Sequence, residues 1–189
     1  MEGVVLLSNV MHPDVEKIII SQEQIQNRVK ELGRQLTEDY RGKELVVIGI
    51  LRGAAVFLAD LIREIDLYME IDFMGVSSYG LATKSSGVVR ITKDLESTIT
   101  DRDVLIVEDI VDSGLTLKYI VENLRSRKPR SIQICTLLDK PARRVEGVEV
   151  AYNGFVIPDE FVVGYGLDYA EKYRNLPYVG VLKPEIYTT

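Results

Sequence analysis

The segment Val104-Leu105-Ile106-Val107-Glu108-Asp109-Ile110-Val111-Asp112-Ser113-Gly114-Leu115-Thr116 constrains this chain more than any other. Its opening run of aliphatic residues reads as a strand buried on both faces, the habit of parallel sheets covered by helices. Glu108 and Asp109 follow at the strand's C-terminal end and cannot both be core, because successive strand residues face opposite sides. A Ser-Gly loop then leads into a predicted helix over about 116–127, with Leu117, Ile120, Val121 and Leu124 inward, and Pro129 ends it. Open α/β sheets bind ligands at such strand ends. Backbone N–H groups at a helix start favour phosphate, Gly114 allows close approach, and the Ser113 and Thr116 hydroxyls add hydrogen bonds. On these grounds two readings stand. The acids cap or bridge at the sheet edge, or with Asp112 they meet a ligand both hydroxyl-rich and phosphorylated, such as a ribose 5-phosphate, because unpaired burial is costly.

The same strand-loop-helix order recurs along the chain. Ser21-Gln22-Glu23-Gln24 has the form of a capping box, followed by Ile25, Val29, Leu32, Leu36 and Tyr40 at helical spacing. Leu45–Leu51 reads as a buried strand and Ala54–Ile65 as a helix with Phe57, Leu58, Leu61, Ile62 and Ile65 inward. Met69, Ile71 and Phe73 predict a strand, as do Val88–Ile91 and Ser131–Leu138. The small and polar residues of 77–87 bury little and predict a mobile loop. After residue 150, glycines and prolines punctuate short apolar runs, which suggests a small β-rich cap. No repeat or linker divides the 189 residues, so the expectation is one α/β domain: a mainly parallel twisted sheet flanked by helices, core about 21–150, with a hood from the N-terminal segment and about 151–189.

Composition closes other routes. The longest strongly apolar stretch, Leu45–Leu51, is far short of the about 20 residues a membrane span needs. With 23 basic and 29 acidic groups the net charge is −6, which argues against a protein built to grip nucleic acid. A lone cysteine, Cys135, makes neither an intrachain disulfide nor a cysteine-ligated zinc site, and it falls in a strand where a core role is expected. Met-Glu-Gly lacks the basic start of a secretory signal, so the cytoplasm is the expected compartment. The single histidine, His12, stands before Pro13 in a turn-like context, which moves acid–base work to the carboxylates. Gly164-Tyr165-Gly166 opens like a dinucleotide fingerprint but has Tyr169 where the third glycine belongs.

The stretch from Val104 to Thr116 resembles the phosphoribosyl-diphosphate motif of type I phosphoribosyltransferases: hydrophobic strand, two acids, two apolar residues, then Asp, Ser or Thr, Gly, any residue, Thr. Ile50-Leu51-Arg52-Gly53, Ser78-Tyr79, Leu137-Leu138-Asp139-Lys140 and the run from Gly154 to Tyr169 are similar to the hypoxanthine-guanine branch of that family, in its order and across nearly the whole chain.

The resemblance implies that phosphoribosyl transfers from 5-phosphoribosyl 1-diphosphate to a 6-oxopurine, with Mg2+ as cofactor. By the same resemblance Glu108 and Asp109 hold the ribose hydroxyls, Asp112 is the general base near purine N7, and Ser113, Gly114, Leu115 and Thr116 cradle the 5-phosphate. Leu51, Arg52, Gly53 and Arg174 meet the diphosphate, often with a cis Leu–Arg peptide. Lys140 donates to the purine O6, Phe161 stacks on the base, and Ile110, Val162 and Asp168 complete the purine pocket. Asp168, Glu108 and Asp109 are the implied metal side chains, and Ser78 and Tyr79 lie on a loop that closes over the site. Arg52 replaces a lysine, Ser113 a threonine and Leu115 a basic residue found in other members. Partners implied are the two substrates and a second copy, as homodimer or homotetramer, with no nucleic acid and no membrane. Two rivals remain, a nucleotide-sensing RNA-binding regulator on the same fold and an enzyme for another base. Adenine would set its amino donor against the Lys140 donor.

Overall fold

The computed structural model describes residues 11–78 and 89–188. The large sheet has six strands in the order β4-β3-β2-β5-β6-β7, and the small one three in the order β1-β9-β8. The large-sheet strands are β2 (Leu45–Leu51), β3 (Glu70–Ser78), β4 (Val89–Lys93), β5 (Asp103–Val111), β6 (Ser131–Asp139) and β7 (Tyr152–Val156). All pair in parallel except β3 with β4. The small antiparallel sheet is β1 (Val15–Ile20), β9 (Val179–Leu182) and β8 (Val162–Val163).

Strand alternation divides the core in two. Leu45, Val47, Leu105, Val107, Cys135 and Leu137 face one layer, which α1 (Gln22–Asp39) covers with Ile25, Val29, Leu32 and Leu36 and α2 (Ala55–Leu61) with Phe57, Leu58 and Leu61. Val46, Ile48, Ile50, Val104, Ile106 and Ile134 face the other, covered by Leu117, Ile120, Val121 and Leu124 of α3 (Leu115–Arg125). Each such fully buried side chain contributes about 1.5–3 kcal/mol relative to exposure. Helix α1 opens on the expected capping box, Ser21 Oγ accepting the Gln24 N–H at 3.2 Å and Gln24 Oε1 accepting the Ser21 N–H at 2.8 Å. Cys135 lies wholly inside the first layer, and burial pushes its thiol up. His12 accepts the Asp14 N–H on Nδ1 at 3.2 Å in the turn before β1.

Several expectations shift. The core's expected end near residue 150 moves later, because Tyr152–Val156 is the edge strand of the large sheet, paired with β6 through Cys135–Tyr152 and Leu138–Phe155. Arg28 of α1 anchors it by donating to the Asn153 and Gly154 carbonyls at 2.7 and 3.1 Å. The second helix is shorter than 54–65, ending in a 3-10 turn over Ile62–Glu64. Ser77 and Ser78 do not begin a loop; they extend β3 and pair with Arg90 and Val89. The rest of that expected loop, including Tyr79, lies outside the described residues.

On β3 the alternation holds for Phe73, which packs on the first layer, but not for Ile71, and the opposite face is buried as well. Ile71 is exposed while Asp72 and Met74 are buried. Asp72 tolerates this because Oδ1 accepts the Phe73 N–H at 2.7 Å and Oδ2 accepts the Glu96 and Ser97 N–H groups, both at 2.8 Å.

Candidate active site

Three strand ends and one loop of the hood converge at the C-terminal edge of the large sheet. Strand β5 runs on through Val111, so Glu108 and Asp109 belong to the strand and not to the loop after it. Their carboxyl groups are desolvated. Burial, then the Asp109 charge, holds the Glu108 carboxyl well above its ordinary range. Burial pushes Asp109 up to about 6, against the opposing pull of the Ile110 N–H, which donates to Oδ1 at 2.7 Å, and of Arg174.

The β2 end packs on this pair. The Leu51–Arg52 peptide is cis, as the resemblance implied. A Cβ at Gly53 would come within 1.5 Å of Asp109 Oδ2, so only glycine lets that carboxylate lie on the backbone. A Cβ at Gly166 would come within 2.1 Å of the Gly53 carbonyl oxygen, and Gly166 itself has φ +102°. The hood loop is thereby pressed onto the β2 loop without intervening side chains.

That loop carries the basic groups. Arg174 donates from Nη1 to the Gly166 carbonyl at 2.8 Å, and its Nη2 sits 2.9 Å from Asp168 Oδ1. Glu171, which the sequence reading did not single out, links the two arginines: Arg52 Nη2 is 2.9 Å from its Oε1 and Arg174 Nη2 3.4 Å from its Oε2. Its signal is the spacing Asp168-x-x-Glu171-x-x-Arg174, which means little until the loop turns.

Beyond β5, Asp112 leads into the turn. Gly114 has φ +82° and caps α3, Leu115 N–H donates weakly to Ser113 Oγ at 3.4 Å, and the Ser113 carbonyl accepts from Val145 and Glu146 N–H at 3.0 and 3.1 Å. A Cβ on Gly114 would press the Glu146 carbonyl oxygen at 2.9 Å. The first-turn N–H groups of α3, which begins at Leu115 and not at Thr116, have no partners within the helix and suit an anion. Asp112 Oδ1 lies 3.0 Å from Arg143 Nε in an ion pair out of line for a hydrogen bond. Arg143 was also missed, being one of two arginines in a surface run.

Lys140, which the resemblance sets against the purine, stands within reach of the Asp112 charge. The Lys140 N–H donates to the Val111 carbonyl at 2.9 Å, which ties the end of β6 to that of β5. Its Nζ, buried, donates to the Glu160 carbonyl at 2.6 Å. Burial pulls the Lys140 ammonium below its ordinary range, opposed by the charges of Asp112 and Asp159. Phe161, next in the chain to Glu160, is 39% exposed, whereas Val162 is buried and Ile110 partly so.

Among the described residues no three acidic, cysteine or histidine side chains form a preformed metal cage, so Glu108, Asp109 and Asp168 are not a closed ligand set. The donor chemistry still fits magnesium, which is held by one or two carboxylates together with substrate phosphates. Burial raises both the Glu108 and the Asp109 carboxyl, and Asp109 Oδ2 has no donor among the described residues, so a divalent cation there would be met by unused acceptors. A cleft of about 570 Å³ at the opposite strand ends, lined by Asp39, Tyr40, Asp103 and Ser131, includes none of these residues.

The described residues contain no helix long and apolar enough to cross a membrane. Residues 21–170 match the model of the phosphoribosyl transferase domain. The chain is 58% identical over 178 residues to the hypoxanthine-guanine phosphoribosyltransferase of Bacillus subtilis, covering 94% of this chain and 99% of that protein. It is 57% identical to the bifunctional protein TilS/HprT of Listeria innocua, covering 94% of this chain but spanning only 28% of that protein's length. A crystal structure of a hypoxanthine phosphoribosyltransferase from Staphylococcus aureus superposes with a TM-score of 0.93 at 58% identity, covering 97% of this chain and all of that one.

Proposed function

The chain belongs to the phosphoribosyl transferase family, and on that premise we propose that it is a purine-salvage enzyme. It transfers the phosphoribosyl group of 5-phosphoribosyl 1-diphosphate to hypoxanthine or guanine, giving IMP or GMP and diphosphate. The observation that carries this reading is the convergence at one sheet edge: Gly53 lies against Asp109, Gly166 against Gly53, and Asp112 is followed by the α3 N-terminus with Lys140 alongside.

In the reaction the bond from ribose C1 to the diphosphate oxygen breaks, a bond from C1 to purine nitrogen forms, and the purine gives up a proton. Asp112 takes that proton at N7. Glu108 and Asp109 accept hydrogen bonds from the ribose hydroxyls. Residues Ser113 to Thr116 receive the 5-phosphate on backbone N–H groups and hydroxyls. Arg52 and Arg174, with the Leu51 to Gly53 backbone, take up the negative charge of the departing diphosphate. Magnesium, when bound with the diphosphate, supplies Lewis-acid neutralisation of its oxygens, and Asp168 with Glu108 and Asp109 would hold it.

Lys140 donates to O6, exchanging its Glu160 carbonyl partner for the base. Phe161 stacks on the purine against Ile110, while backbone groups near Val162 and Asp168 read the exocyclic position. The functional unit is a homodimer or homotetramer, in the cytoplasm. Product formation from hypoxanthine, guanine, xanthine and adenine, each with 5-phosphoribosyl 1-diphosphate and magnesium, tests the reading. Turnover of adenine alone, or of none of the bases, overturns it.

A further inference from the structure

The C-terminal segment after residue 170 lies outside the matched domain, yet it touches the proposed base site. The short helix α4 (Pro184–Tyr187) sets the Tyr187 ring on Phe161, with centroids 4.7 Å apart and planes 19° apart. Tyr169 meets Phe161 edge-on at 5.7 Å and Tyr187 at 6.5 Å.

This placement is built and not incidental. Ile186 and Tyr187 pack on Val15, Val163, Tyr178 and Leu182. The Ile186 N–H donates to the Lys183 carbonyl at 3.0 Å, and Thr188 donates to the Pro184 carbonyl from both its N–H and its hydroxyl, at 3.0 and 2.7 Å. The Leu182 N–H donates to the Phe161 carbonyl at 2.9 Å, so the strand leading to α4 also holds the Phe161 backbone.

Tyr187 covers one face of Phe161 and Tyr169 meets the ring in a T-shaped contact, yet 39% of the residue stays exposed. The aromatic cluster therefore does not seal Phe161 from solvent. Phe161 sits one residue after the carbonyl that holds Lys140 Nζ. We propose that Tyr187 is a positioning residue for the purine, backing Phe161 so that base, Phe161 and Tyr187 form a three-ring stack. The inference rests on the reading of Phe161 given above.

Michaelis constants of the full-length enzyme for hypoxanthine and for 5-phosphoribosyl 1-diphosphate test it, using Tyr187→Ala, Tyr187→Phe and Phe161→Ala. Tyr187→Ala should raise the constant for hypoxanthine about threefold to tenfold, leaving that for 5-phosphoribosyl 1-diphosphate within about twofold, and Tyr187→Phe should restore the wild-type value. If Tyr187→Ala unfolds, Tyr187→Leu keeps the apolar packing and removes the stack, with the same expectation. An unchanged constant for hypoxanthine, a fall in it because the ring had been competing with the base, an equal rise for both substrates, or a failure of phenylalanine to rescue each overturns the proposal. If Phe161→Ala weakens the base and Tyr187→Ala does not, only this inference fails. If Phe161→Ala leaves the base untouched, the assignment of Phe161 fails first.

Discussion

Asp72 on β3 and Asp109 on β5 begin alike and end opposite. Each accepts the N–H of the next residue on Oδ1 at 2.7 Å. Asp72 then receives two further backbone N–H groups on Oδ2, from Glu96 and Ser97. Burial alone would raise its carboxyl, but these donors hold it below the ordinary aspartate range. The corresponding oxygen of Asp109 lies on Gly53 and receives no donor among the described residues, so there burial wins and the carboxyl rises to about 6. The first aspartate has used its acceptors to fold the chain, and the second leaves one carboxylate oxygen without a donor among the described residues. Between two residues of one type, donor supply separates a carboxyl that folding lowers from one that it raises.

The largest test of that division uses Asp112, three residues past Asp109 at the ligand end. Asp112→Asn should lower turnover with hypoxanthine by ~10²–10⁴-fold, the usual cost of a lost general base, and keep 5-phosphoribosyl 1-diphosphate binding within a few-fold. Asp72→Asn should leave turnover as it is, and steady-state kinetics of the two side by side decides the matter. Unchanged turnover in Asp112→Asn would remove that residue from the role.

Next in size is stability. Asp72→Ala strands three backbone donors and should cost about 2–3 kcal/mol, lowering Tm by roughly 5–10 °C in a chain of this size. A calorimetric loss below about 1 kcal/mol would mean that water replaces the carboxylate and that Asp72 is not structural in this sense.

Asp109→Asn should do the reverse to the free protein. The amide oxygen keeps the Ile110 N–H while the desolvated charge disappears, so unfolding at pH 7 should become harder by on the order of 1 kcal/mol. Use of 5-phosphoribosyl 1-diphosphate should fall in the same variant. A variant less stable than wild type at neutral pH would contradict the desolvation argument.

The smallest effect is the pH limb, and the two aspartates should show it with opposite sign. Asp109 titrates higher folded than unfolded, about 6 against about 3.9, so its contribution to stability is complete below about 4 and lost as pH climbs to about 6. For Asp72, lowered by folding, the contribution is present above about 4 and lost as pH falls through its folded value. Thermal melts of the ligand-free protein between pH 3 and 7 should show a shallower first limb in Asp109→Asn, where the raised Glu108 carboxyl still contributes, and a flatter second limb in Asp72→Asn. Equal limbs in both variants would erase the contrast.

Much of this arrangement is legible in local pattern. The buried strands β2, β5 and β6, the helices α1 and α3 and the acid-rich end of β5 follow from runs and spacings within a few residues, and the structure brings those segments to one edge. Other features were not legible. β7 joins the large sheet through a parallel pairing across a crossover, which no local run encodes. Ile71 is exposed although apolar, and on the other face of β3 Asp72 is buried because donors arrive from 24 and 25 residues away. Glu171, Arg143 and Tyr187 carry no motif of their own, and each gains meaning only from what stands beside it.

By itself the sequence determined that β5 would be a buried strand ending in acids before a glycine-capped helix, because burial of aliphatic runs and the left-handed turn at Gly114 are local demands. The tertiary structure alone decided which acids would be satisfied. Hydrogen-bond donors for a carboxylate come from wherever the chain returns, so Asp72 meets Glu96 and Ser97 while Asp109 meets the bare backbone of Gly53, and only folding places those partners.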